Sequence, residues 1–443
     1  MPEKFFSIKV FGCQMNAYDG DRLRGAMTGR GWRETDDVFG SDFAIFVTCC
    51  IRDKAEQKVL SELGRFRASW ERKGRPRIAL LGCMAERAGA ELPKRFPWVR
   101  VVAGPRRLGA VPDAITDAYE NGRVRVIPSA GPRALDDLYC APVPNANRHK
   151  AYVTIAHGCD QFCSYCIVPH VRGRFASRDP DEIIREASSL VEGGVKEITL
   201  LGQNVNTYGR DFVDGRSGCR FSNLLSDVAS LKGLRRLRFT TSHPVDFTDD
   251  ILDVMSGGGV ICPSINLPVQ AGSDKVLREM NRRYTRAEYL ALIGRVRDAL
   301  PGAAITTDLI VGFPGETERE FEESVSLLEE VRFDLAHTAA YSPREGTPAA
   351  ARDDQVPAGE KARRLVRVNE VQALISRAIN KSMEGRTFEV MLDEAAPRGE
   401  GLLQGRTVTD KVVLVRAPGE MEGSIRGVRV TASTPWCLEG DLT

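Results

Sequence analysis

The sequence lacks an apolar run long enough to cross a membrane. Its richest apolar stretches, such as Asp308–Phe313, are only as long as a β-strand. The segment beginning at Met1 also lacks the apolar core of a secretory signal peptide, so we expect a cytoplasmic protein that contacts no membrane. The formal net charge of +2 is too close to neutral to indicate a polyanionic partner, and any nucleic-acid contact must come from local patches.

The sequence offers little support for disulfides or for a structural zinc site. The 11 cysteines lie in a chain large enough to build its own core, and disulfides are rare in a reducing compartment. Metal binding or redox chemistry is therefore the better interpretation, and spacing must decide between them. Structural zinc commonly takes its four ligands from two Cys-x2-Cys pairs, and this sequence has one such pair, Cys163 and Cys166.

Hydrophobic patterning predicts an α/β protein of three domains joined by one linker. Residues 1–130 alternate strand and helix patterns, which favours a flavodoxin-like parallel sheet. Residues 131–150 are rich in proline and polar side chains and form the expected linker. Residues 151–376 predict a partial (β/α)6 barrel of the TIM type, and residues 377–443 a small antiparallel β-barrel.

The predicted strands and helix starts follow from these patterns. In the amino-terminal domain the strand candidates are 6–11, 42–48, 77–81, 99–103 and 124–127; in the central barrel they are 152–156, 197–201, 237–240, 264–267, 304–312 and 335–341; at the carboxyl end they are 387–392, 402–405, 411–416 and 427–432. Asp179 before Pro180, and Thr317 with Glu320, are typical of helix caps.

Three cysteines on one tight loop carry the sharpest chemical signal. Cys159, Cys163 and Cys166 follow a predicted strand with the spacing Cys-x3-Cys-x2-Cys, which can hold three corners of a 4Fe–4S cube. The fourth iron stays open, and there the amino and carboxylate groups of S-adenosylmethionine can chelate. A zinc site with His157 as fourth ligand is the alternative, and Tyr165 could pack on the adenine of the cofactor.

Three further cysteines each follow a predicted strand. Cys13, Cys49 and Cys83 come after residues 6–11, 42–48 and 77–81. Because parallel strands bring their carboxyl ends to one edge of a sheet, these thiols can meet there and hold a second cluster. The alternative is three buried structural cysteines. Spacing alone does not decide between Cys49 and Cys50 as the middle ligand.

Together these motifs resemble the methylthiotransferase family of radical S-adenosylmethionine enzymes. The resemblance covers nearly the whole chain. It is carried by Gly12–Asn16, Arg52–Val59, Gly82–Ala85, Cys166–Pro169, Arg172-Gly173, Ser177-Arg178, Leu200–Asn206, Thr241–Pro244, Leu267–Gln270 and Thr307–Thr317. The carboxyl-terminal barrel is similar to the family's RNA-binding TRAM domain. Departures from the family pattern are Val47, Cys50, Asn266 and Ala271.

The resemblance implies an activity and its partners. Gly12–Asn16 is similar to the branch that acts on tRNA bearing isopentenyladenosine, which implies insertion of a methylthio group at C2 of that nucleoside at position 37. It implies two 4Fe–4S clusters, held by Cys13, Cys49 and Cys83 and by Cys159, Cys163 and Cys166. It also implies S-adenosylmethionine as methyl donor and radical source, an anticodon loop as substrate, and a reductant such as flavodoxin or ferredoxin. We expect a monomer.

Polar residues at predicted strand ends are candidates for contacts with S-adenosylmethionine. Besides Tyr165, these are Gln203, Asn204, Ser242, Gln270 and Asp308, because barrels place their sites at the carboxyl ends of their strands. Two other functions stay open from the sequence. One is the same chemistry on a threonylcarbamoyladenosine tRNA or a ribosomal protein; the other is a non-catalytic iron–sulfur protein that binds RNA.

Overall fold

A computed structural model describes residues 3–50, 53–127, 149–213 and 218–443. Most of the linker expected at 131–150, and Cys140 within it, lie outside the described residues. Within them, no helix is both long and apolar enough to span a bilayer.

The amino-terminal part is a parallel sheet with helices packed on its faces. Its strands are β1 (Lys4–Val10), β2 (Trp32–Glu34), β3 (Phe43–Thr48), β4 (Arg77–Gly82), β5 (Val99–Ala103) and β6 (Arg125–Ile127), and its helices are α1 (Gln14–Thr28), α2 (Asp53–Arg65), α3 (Arg67–Lys73), α4 (Cys83–Ala88), α5 (Glu91–Arg95) and α6 (Val111–Asn121). The described strands run in the order β2-β1-β3-β4-β5-β6. From β1 the chain first adds β2 on one side and then crosses to add β3 and the later strands on the other side. Ligands of open α/β sheets bind at the carboxyl ends of the two strands where this direction changes, here β1 and β3.

The central part is built from strand–helix units around one apolar core. Its parallel strands are β7 (Lys150–Thr154), β10 (Glu197–Leu201), β11 (Arg236–Phe239), β12 (Ser264–Asn266), β13 (Ala304–Val311) and β14 (Leu335–Ala340); its helices are α7 (Val168–Val171), α8 (Pro180–Glu192), α9 (Phe221–Ala229), α10 (Asp249–Ser256), α11 (Asp274–Glu279), α12 (Arg286–Ala299), α13 (Glu318–Val331) and α14 (Ala358–Lys381). A single bridge from Leu237 to Ile261 joins the two halves, β7-β10-β11 and β12-β13-β14. The barrel is therefore open, as a partial (β/α)6 barrel must be.

Two short strands frame the loop that carries the second cysteine group. β8 (Ala156–His157) and β9 (Ala176–Ser177) pair antiparallel, with Ala156 opposite Ser177. The chain between them includes α7 and all three cysteines. Pairing at its base holds the two ends of this loop together beside the barrel.

The carboxyl-terminal part is a closed five-stranded barrel. Its strands are β15 (Thr387–Ala395), β16 (Leu402–Thr407), β17 (Val412–Arg416), β18 (Ile425–Ser433) and β19 (Leu438–Leu442), in the closed order β15-β16-β17-β19-β18. Neighbours pair antiparallel except β17 and β19, which pair in parallel. Closure removes the exposed edges of the sheet.

The sequence-based expectations hold in outline and differ in detail. The α/β fold class with its sheet, partial barrel and closed barrel is confirmed. Both helix starts are confirmed, since Asp179 accepts from two backbone amides of α8 and Thr317 forms a capping box with Glu320 in α13. Between β3 and β4 the chain forms two helices, α2 and α3. β2 and β19 have no counterpart among the predicted strands.

Candidate active site

The cysteines of the second group lie on the loop between β8 and β9. Cys163 is buried, while Cys159 and Cys166 are half-buried. Burial raises the pKa of the Cys159 thiol to about 11 and that of Cys166 to about 12, and the neighbouring Cys163 adds to both shifts. All three sulfur atoms are therefore close enough to interact, and deprotonation of the two outer thiols has to accompany ligation of a metal.

A buried arginine lies against this loop. Arg282 donates from Nη1 to Sγ of Cys163 across 3.5 Å and from Nη2 to the Pro268 carbonyl across 2.6 Å. Its Nε donates to the Tyr284 hydroxyl across 3.0 Å. The guanidinium thus puts a fixed positive charge beside a cysteine sulfur of this loop.

The thiols that follow β1, β3 and β4 come together at the sheet edge. Cys13 caps the start of α1, and Cys83 begins α4. Cys49 lies so close to Gly12 that a Cβ on that glycine would overlap its side chain. β1, β3 and β4 are neighbours in the sheet, and the change in strand order falls between β1 and β3, the strands that precede Cys13 and Cys49. The structure therefore brings the three strand-end cysteines together.

Hydrogen bonds between neighbouring thiols order this group further. A hydrogen bond from Cys49 lowers the pKa of Cys13 to about 5 against the opposing effect of burial, and Arg172 contributes. A hydrogen bond from Cys50 lowers the pKa of Cys83 to about 6, and the same bond raises the pKa of Cys50. Helix amino termini also favour thiolates, as at Cys13 and Cys83. Cys49 is thus the partner of Cys13, and Cys50 that of Cys83.

The two groups of cysteines are connected through Arg172. This side chain belongs to the loop of Cys159–Cys166 but donates from Nε to Sγ of Cys83 across 3.2 Å. Its Nη2 donates to Asn16 across 3.0 Å, and the residue is 2% exposed. A side chain from the barrel therefore completes the surroundings of the amino-terminal thiols.

Gln203 and Asn204, predicted to contact S-adenosylmethionine, already bind protein groups. Gln203 accepts from the Gly158 amide across 2.5 Å and donates to the sulfur of Met15, so both ends of its amide are engaged. Asn204 donates to Asp246 across 2.7 Å, while its Oδ1 is buried without a hydrogen-bond partner. Gln203 therefore joins the two cysteine groups, and Asn204 keeps one free acceptor.

Other predicted contacts lie around the mouth of the barrel. The Ser242 hydroxyl and both ring nitrogens of His243 are buried without hydrogen-bond partners. Burial lowers the pKa of His243 to about 2, so its imidazole is neutral near pH 7. Asp308 accepts from Asn266 across 3.2 Å. Unpartnered buried polar atoms are costly unless a ligand satisfies them, so this region is suited to a polar ligand.

Gln270 and Tyr165 complete the predicted set. Gln270 adopts a positive φ of 74°, and its backbone N–H donates to the Asp308 backbone carbonyl across 2.9 Å. Tyr165 packs beside an apolar cluster that includes Met280, Phe313 and Tyr341. A left-handed backbone at a non-glycine residue is strained and recurs at ligand sites.

Both cysteine groups offer the donor atoms that 4Fe–4S clusters take. Among the described residues, no three His, Cys, Asp or Glu side chains converge closely enough to bind one ion. A 4Fe–4S cube is held at separate irons, so its thiolates need not converge on one point. Both groups supply thiols, the ligands that such clusters take.

Comparisons with known proteins identify the family. The Radical SAM superfamily matches residues 153–328, and the uncharacterized protein family UPF0004 matches residues 5–104. The tRNA-2-methylthio-N(6)-dimethylallyladenosine synthase of Acetivibrio thermocellus is 40% identical over 443 residues, which cover 99% of this chain and 91% of the relative. The chain belongs to this synthase family. The synthase of Aquifex aeolicus is also 40% identical, over 100% of this chain and 99% of its own length.

A solved structure supports the fold of this synthase-family chain. The radical S-adenosylmethionine methyltransferase TsrM of Kitasatospora setae, solved with cobalamin and a [4Fe-4S] cluster, has a TM-score of 0.54 at 14% identity. The match covers 91% of this chain and 81% of that one. At this identity the similarity concerns the fold alone.

Sequence reasoning missed two residues of the site. Arg172 and Arg282 contact cysteines that are distant in sequence, so spacing gave no signal for them. Arg172-Gly173 was among the family-like motifs but without a role. For Arg282, the run Asn281-Arg282-Arg283-Tyr284 shortly after α11 was the available hint.

Proposed function

We propose that the chain inserts a methylthio group at C2 of N6-isopentenyladenosine at position 37 of tRNA, with S-adenosylmethionine as methyl donor and radical source. The observation that carries this proposal is the identity of 40% to curated synthases over the full chain. Both cysteine groups lie within that match, one in each matched family segment. The substrate is thus proposed from the relatives, and the chemistry is also supported by the two sets of thiols.

The cluster ligands are proposed residue by residue. Cys159, Cys163 and Cys166 hold one 4Fe–4S cluster, and Cys13, Cys49 and Cys83 hold the other. Bound at Cys159, Cys163 and Cys166, a 4Fe–4S cluster would supply the electron for reductive cleavage of S-adenosylmethionine, which yields methionine and a 5′-deoxyadenosyl radical. We propose Cys49 over Cys50 because the family resemblance assigns the ligand to Cys49 and because Cys49 lies against Gly12, the residue before Cys13.

The protein's own side chains orient the reactants around these clusters. The barrel mouth offers Ser242, the Asn204 oxygen and Asp308 to the polar groups of S-adenosylmethionine, with Tyr165 and Gln270 as further contacts. Gln203 fixes Gly158, the residue before Cys159. The neutral imidazole of His243 can donate or accept one hydrogen bond without adding charge. A ligand bound at Ser242, the Asn204 oxygen and His243 would satisfy polar atoms that are otherwise buried without hydrogen-bond partners.

The domain organisation and partners complete the proposal. We propose an amino-terminal domain over 1–130, a linker over 131–150, a radical barrel over 151–376 and an RNA-binding TRAM domain over 377–443. The last division falls inside α14, which ends at Lys381. The anticodon loop is the bound part of the tRNA, an external flavodoxin or ferredoxin is the reductant, and the chain acts as a cytoplasmic monomer.

One experiment tests both the reaction and the substrate. The full chain is reconstituted anaerobically with iron and sulfide, reduced, and given S-adenosylmethionine with isopentenylated tRNA. Matched tRNAs carry unmodified adenosine or threonylcarbamoyladenosine at position 37, and mass spectrometry reads the digested nucleosides. We expect the methylthio product from the isopentenylated tRNA alone. Normal 5′-deoxyadenosine without that product contradicts the substrate, and an iron-replete chain that makes no 5′-deoxyadenosine contradicts the radical chemistry.

Iron and sulfide counts on single variants test the middle ligand. Cys49→Ala should lose one cluster, whereas Cys50→Ala should retain both. The opposite result would assign the ligand to Cys50.

A further inference from the structure

Arg172 has an unusual set of partners for a buried cation. It donates to Sγ of Cys83 at 3.2 Å, to Sδ of Met15 at 3.7 Å and to Oδ1 of Asn16 at 3.0 Å. Asp19 lies 3.8 Å from Nη2 and is buried as well. Two of these contacts are to sulfur atoms, one of them the thiol of Cys83.

The backbone around Arg172 is tied to the other cysteine group. The Cys159 amide donates to the Gly173 carbonyl across 3.2 Å. From the amino-terminal domain, Arg106 donates to the Arg172 carbonyl across 2.5 Å and to the Arg174 carbonyl across 2.7 Å. Residues 158–175, between β8 and β9, form what we call the radical loop. Near its end, the backbone of Gly173 binds Cys159 of the same loop, while the side chain of Arg172 binds Cys83 of the amino-terminal group.

We propose that Arg172 is a positioning residue that raises the reduction potential of the amino-terminal cluster and links it mechanically to the radical loop. This inference rests on the cluster ligands of the proposed function. Reduction adds negative charge to a cluster, and a buried cation that donates to a ligand sulfur stabilises that charge. Because the cation comes from the barrel, the amino-terminal cluster has its full surroundings only when the two domains are docked.

The test isolates the amino-terminal cluster spectroscopically. A chain in which the barrel cysteines are all alanine, at Cys159, Cys163 and Cys166, takes up only the amino-terminal cluster. Its midpoint potential is measured by a redox titration followed by electron paramagnetic resonance, and its iron loss to a chelator is timed. In this background Arg172→Gln removes the positive charge. Arg172→Lys keeps the charge but has a single nitrogen to donate hydrogen bonds, and Arg178→Gln is the matched control.

Arg178 is a suitable control because it is equally buried at the same domain interface. It pairs with Glu186 at 2.9 Å and donates to the Thr154 carbonyl at 2.6 Å. Across the interface it donates to the hydroxyl of Tyr18, on α1, at 3.2 Å. A general loosening of the interface should therefore follow either glutamine substitution, whereas a direct effect on the cluster should follow only the one at Arg172.

We expect Arg172→Gln to lower the potential so that the reduction equilibrium shifts about tenfold, or about 59 mV for one electron. Iron loss should be several-fold faster, with Arg172→Lys intermediate and Arg178→Gln near the parent. In the chain that keeps all six ligand cysteines, loss of only the amino-terminal cluster in Arg172→Gln also supports the proposal. An unchanged potential, an equal change in Arg178→Gln, or loss of both clusters together overturns it.

The redox test of Arg172 does not depend on whether the chain modifies tRNA. The potential is read without tRNA, so a parent enzyme that carries both clusters and modifies no tRNA would contradict the proposed function alone. An Arg172→Gln variant of unchanged potential in an active enzyme would contradict this inference alone.

Discussion

Arg282 and Cys163 lie 119 positions apart in sequence, yet the guanidinium of the first donates to the sulfur of the second across 3.5 Å. The arginine is 4% exposed and follows α11, while the cysteine lies on the loop between β8 and β9. The same guanidinium binds the Pro268 carbonyl and the Tyr284 hydroxyl. Arg282 therefore holds the radical loop to the barrel wall and places positive charge at one ligand.

Arg282→Gln should reduce cleavage of S-adenosylmethionine by at least tenfold. A hydrogen bond to a charged group contributes about 1.5–3 kcal/mol, and about 1.4 kcal/mol corresponds to tenfold in rate. The measurement is 5′-deoxyadenosine formed per barrel cluster, with iron content determined on the same sample. Arg295→Gln, which breaks a half-exposed ion pair with Asp249, should change the rate little. Equal rates for the two variants would contradict the role of Arg282.

Gly12→Ala should lose the amino-terminal cluster and keep the barrel cluster. Gly12 has a φ of 124°, and a Cβ there would overlap Cys49, the proposed ligand. The measurement is iron and sulfide per chain, which should fall by half. Gly74→Ala is the matched control, because Gly74 also has a positive φ, of 63°, but open space around it. The control should keep both clusters; a full complement of iron in Gly12→Ala would contradict the prediction.

The fold class was predictable because it rests on long, strongly patterned segments. Buried runs such as Phe43–Thr48 and Arg77–Gly82 were recognised as strands. The strand Trp32–Glu34 was not predicted because three residues are too few to show a periodicity, and its second and third side chains are exposed. Leu438–Leu442 escaped because the polar residues Glu439 and Asp441 alternate with a glycine rather than with bulky apolar side chains.

The placement of the cysteines was predictable where one strand or loop carries them. Cys159, Cys163 and Cys166 share a loop, and Cys13 and Cys83 each follow a strand, so local sequence and sheet geometry indicated where they lie; their role as cluster ligands stays a prediction. Arg172 and Arg282 reach their cysteines through the packing of separate elements, which spacing does not encode. The enzyme class and family, predicted from the ordered motifs, are confirmed by the full-length relatives.

Acid should destabilise the chain partly through His243. Its pKa is lowered from about 6.5 to about 2 by burial, so the folded state holds the neutral ring while the unfolded state binds a proton below about pH 6.5. The stabilising contribution is present above that pH and is lost as the pH falls. Between pH 7 and pH 5 one such histidine costs about 2 kcal/mol of unfolding free energy.

The check on His243 is urea unfolding of the cluster-free chain at pH 7 and pH 5. When the pH falls from 7 to 5, the free energy of unfolding of His243→Asn should decrease by about 2 kcal/mol less than that of the parent. His337→Asn, at an exposed position on β14, should lose as much as the parent. Identical pH dependence in all three proteins would show that the ring of His243 is not held neutral by the fold.

Arg236→Met should loosen the carboxyl-terminal barrel from the central one. Arg236 lies on β11, is 1% exposed, and donates to the Arg406 carbonyl at 2.7 Å and to the Glu389 carbonyl at 3.1 Å. Both acceptors belong to the carboxyl-terminal barrel, so the change removes a charged donor from two part-buried hydrogen bonds, at about 1.5–3 kcal/mol each. Hydrogen exchange should quicken in β15 and β16, while Arg235→Met, at the exposed neighbour, should leave it unchanged. Equal exchange in the two variants would mean that other contacts hold the barrels together.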